Sequence, residues 1–420
     1  LVCYPACSYT GPSSEPIPPP ARGDAVDPLS GGAVASASDP GSASADSGSE
    51  NREDSAAGND ADFTGAVDSG GNATVELLAA PLIFAATGSG FGVNLVVSAG
   101  EPERLGLDLR EDGDPRWTLA SASREIPAPQ VVQWRVDSLR PSTAYRYRVV
   151  ERAPNATDAV LYQGVVNTRR NPGDSFVFCM LTDTHLFVHD PGITGDVVSR
   201  VARLIENERP DLVIHLGDML DYHYFGFNQP PPDPGWVRTG YLAYRVLAGD
   251  LLGRVTHYSV IGNWDGENGD FTAEEIERSR SQRLLNLPGP TQSTYPEGGS
   301  PSGDYFAFTW GDALFVVLNV MSYTPEGHYL SGDIGAADDW TLGDEQLGWL
   351  EQTLKNSGSR WKLLFIHHVV GGKAGDEANS AYGRGGGLAA QVGEQAVVHG
   401  LMQQYGVQAL FYGHDHVFYD

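Results

Sequence analysis

The sequence is short of cysteine, of basic residues and of long apolar runs. Three cysteines occur among 420 residues, which excludes a disulfide-rich scaffold and a zinc site built from thiolates. Lys and Arg total 27 against 54 Asp and Glu, for a net charge of -27. Nucleic acids and anionic membranes bind basic surfaces, so neither is an expected partner. Apolar runs stay below the roughly 18 residues that a membrane-spanning helix needs, so no transmembrane segment is expected.

The few cysteines leave alternatives open. Cys3 and Cys7 flank a proline and form a disulfide outside the cytoplasm, or Cys3 marks a former lipidation site. Cys179 lies within an apolar run, which predicts a buried and unreactive thiol. The chain begins at Leu1, so its N-terminus is processed or the sequence is partial.

The first part of the chain has a composition that does not support a core. Residues 8–70 consist mostly of Ser, Ala, Gly, Asp and Pro, and such a segment cannot bury enough apolar surface to offset the entropy of folding. We predict a disordered acidic tether over residues 1–72 that holds the protein at a cell surface. A generic tail is the alternative.

Residues 73–170 show a different pattern, with short alternating runs between Gly and Pro turns. This pattern predicts an antiparallel β-sandwich. In "LRPSTAYRYRVV", every second residue from Leu139 to Val149 faces one side. The segment resembles a strand of the fibronectin type III-like N-terminal domain of purple acid phosphatases. We expect a spacer or one wall of a neighbouring site, because no catalytic set occurs here.

Residues 171–420 alternate strand-like and helix-like stretches, which predicts an α/β domain. In such domains functional side chains gather where the carboxyl ends of the strands open into loops. Five strand ends here carry metal-binding residues: Asp183 and His185, Asp218 and Asp221, Asn263 and Asp265, His367 and His368, and His414 and His416.

Each of these motifs is weak alone, because an Asp-x-His is more often a turn or a helix cap. Five of them at the strand ends of one domain predict a metal centre. Alternation along an extended chain would place Asp183 and His185 on one side, and likewise His414 and His416. Asp, Asn and His without Cys suit Mn, Fe, Zn or Mg. Seven ligands exceed the needs of one tetrahedral ion, and a bridging carboxylate between two ions about 3.5–4 Å apart would use them all.

The order D-x-H, G-D-x-x-D, G-N-x-D, H and G-H-x-H over residues 171–420 resembles the calcineurin-like metallophosphoesterase superfamily. With the preceding sandwich, the layout is similar to purple acid phosphatases and related exported phosphatases. The resemblance implies an α/β sandwich of two mixed β-sheets flanked by helices. It also implies that Asp183, His185 and His416 hold a first metal, that Asn263, His367 and His414 hold a second, and that Asp218 bridges them.

Two features depart from purple acid phosphatases. Asp221 stands where those enzymes have an iron-binding tyrosine, and His185 where they have glycine, so no purple iron site is expected. We expect Asp221 to orient a ligand or its loop.

The family continues with further strands after His416, whereas the sequence stops at Asp420. This is a natural short form, or a C-terminal piece is missing.

A third departure concerns the usual proton donor. Trp264 stands where the family has a histidine, and indole does not release its proton usefully, so a contribution of about 10²–10⁴-fold is lost. His223 and His368 are the candidate replacements. The resemblance gives Asp265, the acid next to Trp264, the role of orienting the usual histidine. Arg384, in the Gly-rich segment 369–390, is a candidate clamp for a phosphate oxygen, or simply an arginine on a loop.

The resemblance implies an exported, binuclear metal-dependent phosphoesterase that attacks phosphorus with a metal-bound hydroxide. A phosphomonoesterase is favoured, acting on a phosphorylated small molecule or surface group. The alternatives are a phosphodiesterase, a relative that binds phosphate or metal without turnover because of Trp264, and a surface scaffold. The oligomeric state stays open.

Overall fold

The computed structural model describes residues 2–6, 75–98, 104–153, 157–186, 191–221, 234–267, 273–321, 341–370, 393–414 and 416. All of them belong to one compact unit, formed by Leu1–Ser8 and Thr64–Asp420. Most of the predicted tether therefore lies outside the described residues. No helix in the described ranges is both long and apolar enough to cross a bilayer.

The described ranges contain sixteen strands and five α-helices. The strands are β1 Val2–Ala6, β2 Leu82–Phe84, β3 Phe91–Val96, β4 Leu105–Glu111, β5 Thr118–Leu119, β6 Ala122–Ala128, β7 Val131–Val136, β8 Ala144–Glu151, β9 Ala159–Asn167, β10 Phe176–Leu181, β11 Leu212–His215, β12 Thr256–Ser259, β13 Phe306–Trp310, β14 Ala313–Val317, β15 Trp361–Phe365 and β16 Ala409–Phe411. The helices are α1 Pro191–Asn207, α2 Pro234–Ala248, α3 Ala273–Asn286, α4 Gly343–Asn356 and α5 Glu394–Tyr405.

Two sheets carry the α/β part of the chain. In the first, β10, β11 and β12 are parallel neighbours. In the second, β14, β15 and β16 are parallel and β13 pairs antiparallel with β14. Their buried strands are apolar runs, as expected of sheets covered on both faces. The predicted α/β class with two mixed sheets is confirmed.

The preceding strands form an antiparallel sandwich. One layer has the order β2-β3-β7-β6 and the other β5-β4-β8-β9. In β8 the residues Tyr145, Tyr147 and Val149 are buried and the residues between them, Arg146 and Arg148, are half-buried, as the alternation predicts, whereas Val150 and Glu151 at the end of the strand are also buried. His257 of β12 pairs with Phe84 of β2, so this layer continues the first α/β sheet. The relation of the sandwich to fibronectin type III domains stays a prediction.

A buried arginine joins the two parts. Arg245 of α2 is fully buried and donates to the side-chain oxygen and the carbonyl of Asn94 in β3, with the carbonyl contact at 3.0 Å. It also donates to the carbonyls of Ala80 at 2.9 Å and Asn286 at 3.1 Å. Burial lowers the pKa of Arg245 to about 9. These acceptors satisfy a charge that would otherwise be costly to bury.

Aromatic rings fill the space between the two α/β sheets. Phe315 stacks on Phe365 at 5.5 Å, and Phe365 stacks on Phe411 at 5.2 Å, so one ring from each parallel strand builds a row. Phe178 of the first sheet meets this row edge-on, with its ring centroid 5.3 Å from that of Phe315. Edge-to-face and offset pairs are the favoured arrangements of aromatic rings. The row fixes the separation of the sheets and hence of the loops at their ends.

Two predictions about the N-terminal part and its cysteines are wrong in detail. Residues 2–6, expected within the disordered tether, form β1 and pair antiparallel with β10. Cys179 is buried as predicted, but it is disulfide-bonded rather than a free thiol. The strand register places the backbone of Cys3 opposite Cys179, while Cys7 lies outside the described residues. An apolar strand accommodates a thiol and a half-cystine equally well, so the local sequence does not distinguish them.

We expect Phe178→Ala to destabilise the fold by about 3–5 kcal/mol, because it empties a space lined by the rings of Phe176, Phe315, Phe365 and Phe411. Urea unfolding followed by circular dichroism measures the change. The matched control is Val197→Ala on α1, whose side chain is 56% exposed, whereas that of Phe178 is 3% exposed. Equal effects of the two substitutions would contradict the role given to the aromatic row.

Candidate metal centre

The seven candidate ligands all follow the carboxyl ends of parallel strands. Asp183 and His185 come after β10, Asp218 after β11 and Asn263 after β12. His367 comes after β15, and His414 and His416 come after β16. Because the aromatic row packs the two sheets together, these loops meet at one edge.

The first group holds Asp183, His185, Asp218 and His416, whose ligand atoms all lie within 4.8 Å of one another. The Nε2 atoms of His185 and His416 are 2.9 Å apart. His416 Nε2 is 3.5 Å from Asp183 Oδ1, and His185 Nε2 is 3.7 Å from Asp218 Oδ2. Two carboxylates and two imidazoles form a donor set that suits Mn, Fe or Zn.

The second group holds Asn263, His367 and His414. Asn263 Oδ1 is 2.9 Å from His414 Nδ1 and 3.2 Å from His367 Nε2. His368, which we expected to be a proton donor, has a nitrogen within the same 4.8 Å cluster as those of His367 and His414. Its ring centroid lies 4.0 Å from that of His414. His368 is therefore at the centre, in a place that also suits a ligand.

Asp218 lies between the two groups. Its Oδ1 accepts the Trp264 backbone N–H at 2.8 Å. Its Oδ2 is buried without a hydrogen-bond donor, 3.0 Å from His367 Nε2 and 3.7 Å from His185 Nε2. His367 Nδ1 lies 2.8 Å from the carbonyl of Leu216, which can only accept, so Nδ1 carries the proton and Nε2 presents a lone pair. Lone pairs of ring nitrogens and carboxylate oxygens that face one another in this way can bind cations between them, and the Asp218 carboxylate is shared by the two groups.

The electrostatics of the pair agree with this fit. Burial lowers the pKa of His367, but the Asp218 and Asp183 carboxylates outweigh it and raise the pKa to about 9. Burial raises the pKa of Asp218, and His367 outweighs it, so that the pKa falls below its usual value. The site thus favours positive charge beside Asp218. A metal ion supplies that charge in place of the His367 proton.

Asp265 holds two of the loops together rather than facing the centre. Its Oδ2 accepts the backbone N–H groups of Gly262 at 2.8 Å and Asp218 at 3.0 Å. Its Oδ1 accepts those of Met219 at 2.9 Å and Leu220 at 3.1 Å. Burial and the nearby Asp218 charge raise the pKa of Asp265 to about 7, and the four N–H groups oppose the rise by stabilising the ionised form.

The backbone of the ligand loops is strained. Five of the seven candidate ligands have positive φ, a region that non-glycine residues seldom adopt: Asp183, His185, Asp218, His414 and His416. The Asp183–His185 and His414–His416 segments are therefore not extended, and the alternation on which we based their convergence is wrong. Each such residue costs about 1–3 kcal/mol, and such strain concentrates at functional sites.

His215 is a contributor that the sequence did not reveal. The ring is fully buried in β11, its Nδ1 accepts the Gly217 N–H at 3.2 Å, and its Nε2 lies 3.2 Å from Thr184 Oγ1. Thr184 in turn donates to the Met219 carbonyl at 3.0 Å. This chain of contacts fixes the Asp183–His185 loop against the Asp218 loop. A histidine inside an apolar strand next to the Gly-Asp motif was the available signal.

The remaining predicted residues divide by position. Trp264 is half-buried and packs edge-on against His185, with 5.5 Å between the ring centroids. Asp221 is buried at the end of the Asp218 loop. His223 and Arg384 lie outside the described residues, as do most of the loops 222–236 and 369–390. The described part of the first loop shows that α2 already begins at Pro234.

A family model for calcineurin-like phosphoesterases matches residues 176–418. The chain belongs to this family. Membership in this family agrees with the motif order, from which we predicted a metal-dependent phosphoester hydrolase. Among curated proteins, none matches the phosphoesterase by sequence.

Two solved structures resemble the phosphoesterase in fold. One is the purple acid phosphatase PPD1 from yellow lupin (Lupinus luteus) seeds, with 15% identity and a TM-score of 0.57 over 80% of this chain and 59% of that chain. The other is PhoD, with 15% identity and a TM-score of 0.57 over 81% of this chain and 72% of that chain. The chain thus spans 59% of the length of the lupin protein.

The loops approach so closely that Gly262 tolerates no side chain. A Cβ there would lie 2.1 Å from Asp218 Oδ1 and 2.3 Å from Asp218 N. We expect Gly262→Ala to displace Asp218 and to lower the affinity for Mn or Zn at least 10-fold, because even changes around a metal's ligands cost about 10–100-fold. Metal content after equilibrium dialysis measures this affinity.

Gly348→Ala on α4 is the matched control, since a Cβ there meets nothing within 4 Å. It should bind metal like the wild type and gain about 0.5–1 kcal/mol of stability from the helix propensity of alanine. Wild-type metal affinity in Gly262→Ala would contradict the placement of Asp218 at the centre.

Proposed function

We propose that the protein is an exported phosphoesterase with two metal ions, acting on phosphate monoesters of small molecules. Asp183, His185 and His416 would hold the first ion, and Asn263, His367 and His414 the second, with Asp218 shared. The observation that carries the proposal is the position of Asp218 Oδ2, 3.0 Å from His367 Nε2 and 3.7 Å from His185 Nε2. One carboxylate oxygen facing both groups is the arrangement that a pair of ions requires.

The protein contributes rigidity to this chemistry. When bound, two ions of this kind polarise the phosphoryl oxygens and make water a stronger acid. The Leu216 carbonyl orients the His367 ring, and the Trp264 N–H orients the Asp218 carboxylate. Because these groups are fixed before substrate arrives, little reorganisation remains for the reaction itself. Asn, Asp and His donors are compatible with Mn, Fe, Zn or Mg.

The choice of leaving group follows from Trp264. Its indole occupies the loop position where the family carries a histidine, beside His185. It offers no proton to a departing alkoxide, so esters of acidic alcohols or phenols should react fastest. His368 lies within the second ligand group, but burial and the neighbouring His414 and His367 lower the pKa of its imidazole well below the usual range, which favours a ligand role over that of a proton donor. His223 and Arg384 stay sequence-based candidates.

Export is supported by the disulfide at Cys179. Disulfides persist in oxidising environments such as the periplasm and the cell exterior and are rare in the cytosol. The acidic composition of residues 8–70 agrees with a solvated tether at a cell surface, and we keep that role as part of the proposal.

A metal-binding relative without turnover is the second candidate, and Trp264 is the observation that favours it. The complete set of ligand-capable side chains favours an enzyme, since a pure binding protein would not need seven donors at one edge. Measurements of metal binding and of hydrolysis distinguish an enzyme from a binding protein without turnover.

We expect Asp218→Asn to abolish metal-dependent hydrolysis, because the amide removes the charge that both ligand groups face. Turnover of 4-nitrophenyl phosphate and bis(4-nitrophenyl) phosphate is measured on protein stripped of metal and then given Mn, Zn, Fe or Mg. The proposal predicts faster turnover of the monoester and a loss of at least about 10³-fold in the variant, the scale of removing an essential electrostatic group.

The other results are also informative. Binding of two ions per chain without turnover under any metal would identify the non-catalytic alternative. Faster turnover of the diester would replace the monoesterase assignment. Wild-type rates of hydrolysis in Asp218→Asn would contradict the proposed metal centre.

We expect Trp264→His to raise turnover of a poor leaving group, such as an alkyl phosphate, by up to about 10²-fold, because a general acid is restored. The rate on 4-nitrophenyl phosphate should change little, since that leaving group needs no proton. Trp264→Phe is the control, because it removes the indole without supplying a proton. An equal response of the two variants on both substrates would show that the proton comes from elsewhere.

A further inference from the structure

A cavity of about 430 Å³ opens at the edge of the sheets opposite to the metal centre. Its lining includes Arg169 and Arg170 before β10, Asp312 before β14 and Arg360 before β15. Candidate metal ligands follow the carboxyl ends of two of these strands, β10 and β15, and a five-residue strand is about 16 Å long. The cavity is therefore separate from the metal centre.

The lining of this cavity is positively charged, whereas the chain as a whole is negatively charged. The sequence has twice as many acidic residues as basic ones, 54 against 27, whereas the cavity is lined by three arginines and one aspartate. The aspartate, Asp312, accepts the backbone N–H of Gly173 at 3.0 Å. A positive concavity on an otherwise acidic surface attracts anions locally.

The three arginines do not have the same role. Arg170 is structural, since its Nε donates at 2.8 Å to Asp211, and the other oxygen of Asp211 accepts the Val177 N–H at the start of β10. Arg169 donates from Nη1 to the hydroxyl of Thr309 at 3.2 Å. It forms no ion pair with a carboxylate in the described ranges, where every ion pair of the cavity's arginines belongs to Arg170.

Arg360 is likewise without a carboxylate among the described residues. Its guanidinium lies over the Trp361 ring, 5.3 Å from the centroid, a cation–π contact that does not neutralise its charge. Two guanidinium groups without anionic partners, at the rim of one cavity, are the elements of a phosphate-binding site.

We propose that this cavity is a second, non-catalytic site that binds a phosphorylated small molecule, with Arg169 and Arg360 holding the phosphate. A cavity of about 430 Å³ is of the size of small-molecule sites, which hold more than a bare oxyanion. Gly88 and Pro141 of the sandwich line it together with residues of the α/β part. A ligand bound there contacts both parts of the protein. The proposal does not depend on the proposed catalytic function.

The test is isothermal titration of the full chain, stripped of metal so that the metal centre offers no metal ion to an anion. Inorganic phosphate and glycerol 2-phosphate are the two probes, because they distinguish a bare phosphate site from one that also holds an organic group. The variants are Arg169→Gln and Arg360→Gln. Arg116→Gln is the control, because it removes the same charge from an exposed surface pair with Asp114. Circular dichroism establishes that each variant is folded.

We expect one equivalent of glycerol 2-phosphate to bind the wild type more tightly than inorganic phosphate, with affinity falling as NaCl rises. Each of Arg169→Gln and Arg360→Gln should weaken it by about 10-fold or more, the usual effect of losing a hydrogen bond to a charged group, while Arg116→Gln should not. If inorganic phosphate binds more tightly, with the same dependence on the two arginines, the site does not prefer an organic phosphate, and that part of the proposal is wrong. No binding by the wild type, or an equal loss in all three variants, would overturn the site itself.

Discussion

The carboxylate of Asp265 is the contact on which the arrangement of the centre depends. Its two oxygens accept four backbone N–H groups, one from its own loop and three from the loop of Asp218. These donors lie in irregular backbone beyond the ends of β11 and β12, where the sheet no longer satisfies them. The buried Asp265 carboxylate thus replaces the backbone hydrogen bonds that the sheet would provide. It holds Asn263 and Asp218 at a fixed separation.

That close approach has consequences for the surrounding backbone. A Cβ on Gly262 or on Gly413 would lie 2.1–2.2 Å from side-chain oxygens of the facing loop, so glycine is required where the loops touch. Five of the seven candidate ligands take positive φ, so the backbone reverses sharply where most of these side chains lie. The strain persists because contacts from Asp265, His215 and the Leu216 carbonyl determine the loops from several sides.

The sequence allowed the centre to be predicted because its candidate ligands come two to five residues after apolar strands, whose parallel pairing brings them to one edge. It predicted the convergence of Asp183 with His185 for the wrong reason, since left-handed backbone rather than alternation achieves it. The disulfide of Cys179 and the contacts of His215 could not be predicted, because their partners are set by the tertiary fold. Helix α2 begins at Pro234, within a proline-rich run, because Pro at a first helical turn is compatible with a helix.

Trp264 shows why metal binding and proton donation can vary separately at this edge. The residue's contribution to the ligand geometry is its backbone N–H, which donates to Asp218 Oδ1, and any residue except proline supplies that group. Its side chain packs against His185 without joining the contacts of Asp265. A change of side chain from imidazole to indole therefore leaves the carboxylate of Asp218 oriented while removing a transferable proton. Under the proposed function, the loop therefore keeps its structural role at the metal centre, and the range of leaving groups is the property that we expect Trp264 to affect.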